Sequence, residues 1–385
     1  MPVRAGTIKA AIVFLTLVLT TGVAAAYPQY QLVRDQTCTG CHLSPAGGNL
    51  LSENGYSVAD GKSHLGTAPE FMYGKIGTPA WLALGGDLRA ATGYLKTPEN
   101  AVAAFPMQLE LYAAATFGKA FSLHANVGSR PSQVGNEAAT SVWSREHYLM
   151  WQQKPGETDG LYIRAGRFMP VHGLRLAEHP TYVRRFGGTP LFSETYAAAV
   201  EYVTQKAEVH VTGFIKDPIL DSVEHYSGGA LYSEARLSET FALGVEGMIE
   251  VSKDDKRYRG GLTGKYYIAP ADLLVQAEVQ LVNQVIDAMD GRGAPVSFVS
   301  YFLLSRMLGE FMLLDVGFGH YDPSMKLDDK HPGVAEDERT SVDLNLHYFT
   351  TSHLELVLNA RYEAIGLGKG GDPGAYALFQ IHYRL

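Results

Sequence analysis

The two cysteines of the chain, Cys38 and Cys41, are separated by two residues and followed directly by His42. This C-x-x-C-H spacing is the attachment pattern of a c-type haem. Two thiols so spaced reach both vinyl groups from one side of the porphyrin, and the adjacent histidine is placed to be the proximal ligand of the iron. The sequence therefore predicts one covalent haem c, held by Cys38 and Cys41 with His42 on the iron.

The same two thiols have other uses that must be weighed against haem attachment. A dithiol redox pair is expected beside a βαβ pattern, which the surrounding sequence does not show. A zinc site needs further ligands at metal spacing, and the chain has no second C-x-x-C. These observations favour haem, with a structural disulfide as the plain alternative.

The iron needs a second axial ligand or an open site. The candidates are Met72, His64 and, with less support, His124. Met72 is favoured because it follows His42 in an apolar context, and methionine would raise the haem potential relative to a second histidine. The alternative is that Met72 fills a gap in the core and His64 is solvated.

The first 26 residues have the pattern of a secretory signal peptide. Arg4 and Lys9 precede an apolar run over 10–19, and Ala24, Ala25 and Ala26 supply a cleavage site. The run is too short to span a bilayer, although an uncleaved anchor is the alternative. Cleavage changes the net charge from -8 to -10, with 30 basic and 40 acidic residues left. This acidic balance excludes a generic nucleic-acid binder.

Residues 27–80 form the predicted haem segment, in which glycine and proline suit a compact wrapping of the porphyrin. From Trp81 to Leu385 the hydrophobic period becomes two. Leu273, Val279 and Leu281 share one face of such a stretch, and Gln276 and Glu278 share the other. We identify about sixteen such segments of about ten residues each, the length of a tilted membrane strand. No apolar stretch after the signal is long enough for a membrane helix.

The connections between these segments alternate between short turns and long loops. Short turns fall at 118–119, 205–206, 238–240, 269–271, 308–309 and 350–352. Longer loops are predicted at 94–104, 129–140, 168–194, 217–229, 283–295, 320–338 and 364–373. This rhythm favours an all-β, antiparallel outer-membrane barrel of about sixteen strands over a β-sandwich or a propeller. An even strand number places the haem segment at the periplasmic mouth, where it could plug the lumen.

Two charged clusters are candidate binding sites. Basic residues gather in the fifth strand and the loop after it: Arg164, Arg167, Arg175, Arg184, Arg185, His172 and His179. If this loop folds inward, Arg164, Arg167 and Arg175 could bind haem propionates or select anions. Acidic residues gather in a later loop: Asp328, Asp329, Glu336, Asp337 and Glu338. They could attract Fe²⁺, since carboxylates suit hard cations. Solvated loops are the alternative for both clusters.

A signal peptide, one C-x-x-C-H at Cys38, Cys41 and His42, and a barrel together resemble the fused monohaem cytochrome–porins of the bacterial outer membrane, among them iron oxidases. Residues 54–56, and more partly 27–30 with Arg34, add to the likeness. It implies electron transfer between an extracellular donor, with Fe²⁺ a candidate, and periplasmic cytochrome c or another carrier. Residues 163–170 with Gly173 resemble a strand-to-loop passage of phosphate-selective porins.

Three functions follow from these observations. The leading one is electron transfer across the outer membrane through the haem, in contact with membrane lipid and without nucleic acid. The second is a diffusion porin, anion-selective in one version, with the haem segment as a gate or sensor. The third is a barrel that sheathes a separate multihaem cytochrome. No spacing in the chain supports a hydrolytic catalytic triad or a phosphate-binding loop, so enzymatic activity beyond iron oxidation is not predicted.

Overall fold

The computed structural model describes residues 32, 37–48, 50–96, 100–134, 137–178, 180–190, 193–218, 226–253, 255–286, 296–325, 338–366 and 373–385. The signal peptide expected over 1–26 lies outside these residues, as do 27–30 and Arg34. Parts of the expected loops 217–229, 283–295, 320–338 and 364–373 also lie outside them.

The strands form one closed antiparallel barrel. They are β1 Leu82–Lys96, β2 Asn100–Phe117, β3 Phe121–Val134, β4 in two segments Glu137–Trp143 and His147–Gln152, β5 Gly160–Phe168, β6 Thr195–Val203, β7 Ala207–Ile215, β8 Ser227–Ser238, β9 Phe241–Val251, β10 Asp255–Ile268, β11 Leu273–Ile286, β12 Ser297–Met307, β13 Met312–Asp322, β14 Arg339–Phe349, β15 Leu354–Ile365 and β16 Gly374–Arg384. Both β4 segments pair with β3, and β16 pairs with β1. The 17 strand segments therefore make a barrel of 16 strands.

The alternation of apolar and polar residues along each strand determines which side chains face the lumen and which face outward. In β11, Gln276 and Glu278 are buried inside, while Val279 and Leu281 are exposed outside. The inner face is polar because it lines the lumen, and the outer face is apolar because it contacts lipid. The predicted fold class is therefore confirmed.

Two connections differ from the sequence prediction. The expected loops 94–104 and 129–140 are largely strand, because β1 and β2 pair up to Lys96 and Asn100, and β3 and β4 pair out to Val134 and Glu137. Ladder hydrogen bonds use the backbone, so a hairpin continues through small and polar residues that lack the apolar alternation.

The helical elements are short. They are α1 Cys38–Cys41, α2 Glu53–Gly61, α3 Tyr182–Arg185, and the 3₁₀ turns Phe71–Gly74 and Ala269–Ala271. Within the described ranges, no helix has the length and apolarity needed to cross a bilayer.

The N-terminal segment enters the barrel at the end where the strands are joined by short turns, here called the short-turn end. Thr39 Oγ1 donates to the carbonyl of Thr158 in the turn after β4. Leu50 lies against Gly85 at the start of β1. The chain then follows the rim, where the amide of His64 donates to the carbonyl of Phe349 at 2.9 Å.

The loop over 169–194 is here called the lumen loop. Its described residues, 169–178, 180–190, 193 and 194, enter from the opposite end and cross the interior. Its residues Leu174, Leu176, Tyr182 and Val183 are buried against the far wall. The wall side of this apolar cluster consists of Val282, Val299, Tyr301 and Leu303. Burial of apolar surface holds the lumen loop inside the barrel.

Candidate functional site in the barrel lumen

The C-x-x-C-H motif occupies one helical turn inside the barrel. Cys38 begins α1 and Cys41 ends it, and the amide of His42 donates to the carbonyl of Cys38 at 2.9 Å. The structure does not join the two thiols by a disulfide. One turn of helix therefore places both sulfurs and the imidazole in a single compact unit.

Helix α2 packs directly on this turn and holds its shape. Asn54 Nδ2 and Ser52 Oγ each donate to the carbonyl of Gly40 at 2.9 Å. A side chain at Gly55 would place its Cβ 2.1 Å from the carbonyl oxygen of Cys41. Only glycine allows the two helices to approach this closely. The Asn54-Gly55 pair singled out in the sequence thus has a local packing role.

Burial favours the uncharged forms of Cys38 and His42. It raises the pKa of the Cys38 thiol to about 11, with nearby Arg175 opposing the shift. It lowers the pKa of His42 to about 4, with a backbone hydrogen bond at Gly48 opposing. The Nδ1 atom of His42 is buried and, among the described residues, has no hydrogen-bond partner. A neutral imidazole is the form that binds a metal.

A cavity of about 300 Å³ adjoins the motif. One wall is the stretch that follows His42, with Leu43, Ser44 and Leu50 among its lining residues. The other walls come from the inner face of the barrel and from the lumen loop: Tyr112, Ala113, His124, Ala125, Asn126, Arg145, Glu146, Tyr148, Arg164, Met169, Pro170, Val171, His172, Arg175, Leu176, Arg184, Thr189 and Glu194. The N-terminal segment and the lumen loop therefore enclose one space with the barrel wall.

The structure brings two of the three predicted arginines to this cavity. Arg164 makes a bidentate ion pair with Glu201, with both N···O distances 2.8 Å. Arg175 pairs with Glu208. Arg167 does not line the cavity.

Arg167 instead stabilises the wall beside the cavity. Its Nε donates to Asp217 at 3.1 Å. The guanidinium also donates to the carbonyls of Ser144 and Glu194, each at 3.0 Å, and lies over the Trp143 ring.

The two favoured distal-ligand candidates lie elsewhere. Met72 is 36% exposed in the 3₁₀ turn before β1. His64 is exposed at the rim, where its ring stacks on Phe311 and bonds the Tyr348 hydroxyl. Neither lines the cavity, and both assignments stay predictions.

His124, the third candidate, does line the cavity. It is buried, its Nε2 lies 2.9 Å from Ser122 Oγ, and it stacks on Tyr148 at 4.8 Å. Met169 and His172 line the same space. His124, Met169 and His172 are far apart in the sequence, so their proximity could not be predicted. It results from the pairing of β3 with β4 and from the inward fold of the lumen loop.

The remaining charged candidates are only partly described. His179, Asp328, Asp329, Glu336 and Asp337 lie outside the described residues. Glu338 lies 3.8 Å from His320. Arg185 is exposed over the Phe186 ring. Among the residues that the structure describes, no three His, Cys, Asp or Glu side chains are grouped to hold a metal ion.

Sequence reasoning missed the partners of the cavity arginines. Arg145 pairs with Glu194, and its Nη1 lies 3.5 Å from Glu110. Glu201 and Glu110 lie at inward-facing positions of strands with alternating hydrophobicity. A charged residue at such a position indicates a buried partner of opposite charge, and this signal was available in the sequence. Arg145 itself lies in the break between the two segments of β4, where the alternation fails.

No family model and no curated protein matches the chain. Solved structures do match: the loop L8 deletion mutant of Vibrio cholerae OmpT has a TM-score of 0.59 and 13% identity, over 79% of this chain and 99% of that one. An anion-selective porin from Comamonas acidovorans has a TM-score of 0.58 and 12% identity, over 79% of this chain and 99% of that one. The outer-membrane channel DcaP of Acinetobacter baumannii has a TM-score of 0.56 and 9% identity, over 80% of this chain and 99% of that one. The chain therefore has the closed β-barrel fold of these outer-membrane proteins.

Proposed function

We propose that this protein is an outer-membrane electron-transfer protein that carries one covalent haem c inside its barrel, between an extracellular donor and periplasmic carriers. The observation that carries the proposal is the position of Cys38, Cys41 and His42. They form one helical turn within the lumen, next to a cavity. In this proposal the short-turn end faces the periplasm, as in other outer-membrane barrels.

The donor set fits a c-type haem. The two cysteines lie one helical turn apart in α1, and burial keeps the adjacent His42 imidazole in the neutral form that binds a metal. Residues 43–48, Leu50 and the barrel wall supply an adjoining space. Such a haem would supply one-electron chemistry, with its potential set by axial ligand and burial. The chain's own residues position it and limit its contact with water.

Location inside the lumen matters because of distance. The apolar band of such a barrel is about 25 Å tall. A redox centre outside one mouth would lie a full membrane thickness from a donor on the other side. Placing α1 inside the lumen shortens the path to a donor on the other side of the membrane.

Fe²⁺ is the candidate donor that the resemblance to cytochrome–porins implies. The acidic loop expected to gather it is mostly outside the described residues, so the donor rests on the resemblance alone. Periplasmic cytochrome c is the corresponding candidate acceptor.

A diffusion porin is the second candidate, and the comparisons support it more directly than they support electron transfer. The matched structures include a porin named as anion-selective, and Arg145, Arg164, Arg175 and Arg184 line the cavity here. Here the N-terminal segment would act as a gate or sensor. The sheath alternative has less support, because the N-terminal segment and the lumen loop already lie in the lumen that a second cytochrome would enter.

Reconstitution separates these functions. Purified protein is placed in liposomes that contain oxidised cytochrome c, and Fe²⁺ or another impermeant reductant is added outside. Reduction of the enclosed cytochrome c that depends on the protein and is lost in the Cys38→Ala variant supports electron transfer. Steady anion conductance in planar bilayers, equal in wild type and Cys38→Ala and without electron transfer, would instead establish the porin.

A further inference from the structure

The four arginines that line the cavity differ in whether a carboxylate neutralises their positive charge. Arg145 pairs with Glu194, Arg164 with Glu201 and Arg175 with Glu208. Each of these guanidinium groups already faces a carboxylate. Each positive charge is largely neutralised by its partner, so these three arginines offer a ligand little net attraction.

Arg184 differs from the other three. Its Nε donates to the carbonyl of Thr189 at 3.1 Å, and its Nη1 donates to those of Leu176 at 2.9 Å and Ala177 at 3.1 Å. These acceptors orient the guanidinium but carry no net charge. Within the described part of the chain, Arg184 makes no salt bridge to a carboxylate.

The charge on Arg184 is also costly where it lies. Burial lowers the pKa of Arg184 despite attraction from Glu178 and Glu194. Arg175 is buried too, but Cys38 and Glu208 hold its pKa well above the usual value. An anion in the cavity would offset that cost for Arg184.

Helix α3 fixes the position of Arg184. The neighbouring side chains Tyr182 and Val183 are buried in the apolar cluster against the far wall. The Tyr182 hydroxyl donates to Glu363 at 2.7 Å. The guanidinium is therefore held in place before any ligand arrives, and its Nη2 edge is the edge not used by the lumen-loop carbonyls.

We propose that Arg184 is the residue that binds an anionic carboxylate in this cavity, and that this carboxylate is a haem propionate. The inference rests on the proposed function and departs from the sequence prediction, which named Arg164, Arg167 and Arg175. Those three stabilise the barrel wall and the lumen loop. Arg184 supplies a positive charge that, within the described residues, no carboxylate contacts directly.

The test is the haem reduction potential, measured by spectroelectrochemical titration of the detergent-purified full chain. Reduction adds negative charge to the haem, so a nearby cation favours the reduced form. We expect Arg184→Gln to lower the potential, shifting the reduction equilibrium about tenfold, the size expected for one charge near 10 Å in a partly polar interior. The control Arg185→Gln, an exposed neighbour in the same helix, should leave the potential unchanged.

Arg184→Lys separates charge from structure. It keeps the positive charge but loses the planar fork that bonds the carbonyls. A potential close to wild type in Arg184→Lys supports the inference. If Arg184→Gln leaves the potential unchanged, or if Lys and Gln lower it equally, the inference is wrong although the haem remains. A chain without haem by the pyridine haemochrome assay would remove the proposed function, and this inference with it.

Discussion

The backbone amide of Leu174 donates a 2.7 Å hydrogen bond to the carboxylate of Glu278 on the far side of the lumen. Leu174 belongs to the lumen loop after β5, and Glu278 belongs to β11. An intramolecular hydrogen bond typically contributes about 0.5–1.5 kcal/mol to stability. This contact, together with the apolar cluster around Tyr182, fixes the lumen loop across the interior.

Gly173 is the residue through which this contact can be weakened. Its φ is +64°, and a Cβ there would lie 2.6 Å from Glu278 Oε1. Gly173→Ala should displace the lumen loop, because alanine costs about 1–2 kcal/mol in the left-handed region and also meets the carboxylate. We expect a larger single-channel conductance in planar bilayers.

Gly156→Ala is the matched control, since Gly156 has φ +83° in a turn with nothing within 4 Å of the added Cβ. The same conductance in both variants as in wild type would show that the lumen loop does not limit the pore.

Gly55 is predicted to be essential for haem attachment. Gly55→Ala would press a Cβ against the Cys41 carbonyl at 2.1 Å, so α2 must shift away from α1. Overpacking of this kind costs about 1–3 kcal/mol. We expect a severalfold lower ratio of haem absorbance to protein.

Gly61→Ala, at the end of the same helix with nothing within 4 Å, should keep the full ratio. Equal haem content in the two variants would contradict the packing role of Gly55.

The sequence predicted the barrel well because alternation is a local signal. Segments expected to begin at Phe121, Leu273 and Ser297 begin there in the structure. The inward path of the lumen loop was left open, because it depends on contacts such as Leu174 with Glu278 that join distant parts of the chain. Such long-range contacts produce no periodic pattern in the sequence from which they could be predicted.

The site was predicted in the same uneven way. The C-x-x-C-H motif is contiguous and could be identified directly. The cavity beside it was not predictable, because its walls combine β2 to β5 with the lumen loop. The charge state of each arginine likewise depends on partners such as Glu201, which lies 37 residues from Arg164 in the chain.

The ion pair between Arg164 and Glu201 should be important for stability. Both side chains are almost fully buried, at 2% and 0% exposure. Arg164→Ala removes the bidentate partner of Glu201 and leaves that buried carboxylate with His210 Nδ1 at 2.9 Å, and breaking a buried ion pair costs up to about 3–5 kcal/mol. Heat-modifiable gel mobility should show unfolding at a lower temperature.

Lys154→Ala removes an exposed pairing with Asp159 and serves as the control, with no measurable change expected. Equal unfolding temperatures in the two variants would contradict the role of the buried pair.

The buried position of His172 leads us to expect that the free energy of unfolding depends on pH. Burial and Arg259 lower its pKa from 6.5 to about 3, despite contacts at Gly187 and Gln280 and a carboxylate oxygen of Glu246 at 3.8 Å. Between these pH values the unfolded chain binds a proton on this residue and the folded chain does not. Its contribution is therefore full above pH 6.5 and declines as the pH falls, by about 1.4 kcal/mol per unit well inside the window.

The measurement is denaturant unfolding of wild type and His172→Gln at pH 7 and pH 4.5. The loss of stability on acidification should be smaller in His172→Gln, while the exposed-histidine control His64→Gln should follow wild type. Parallel losses in all three proteins would show that His172 is not the residue responsible.

The most direct measurement is haem content of the detergent-purified protein, by pyridine haemochrome spectrum and by haem stain on a denaturing gel. Wild type should contain one haem per chain that stays with the polypeptide after denaturation, because thioether bonds at Cys38 and Cys41 hold it. Cys38→Ala with Cys41→Ala should abolish the covalent stain while the barrel still folds. A folded wild-type barrel exported by a cell that matures c-type cytochromes, yet colourless and unstained, would contradict the account.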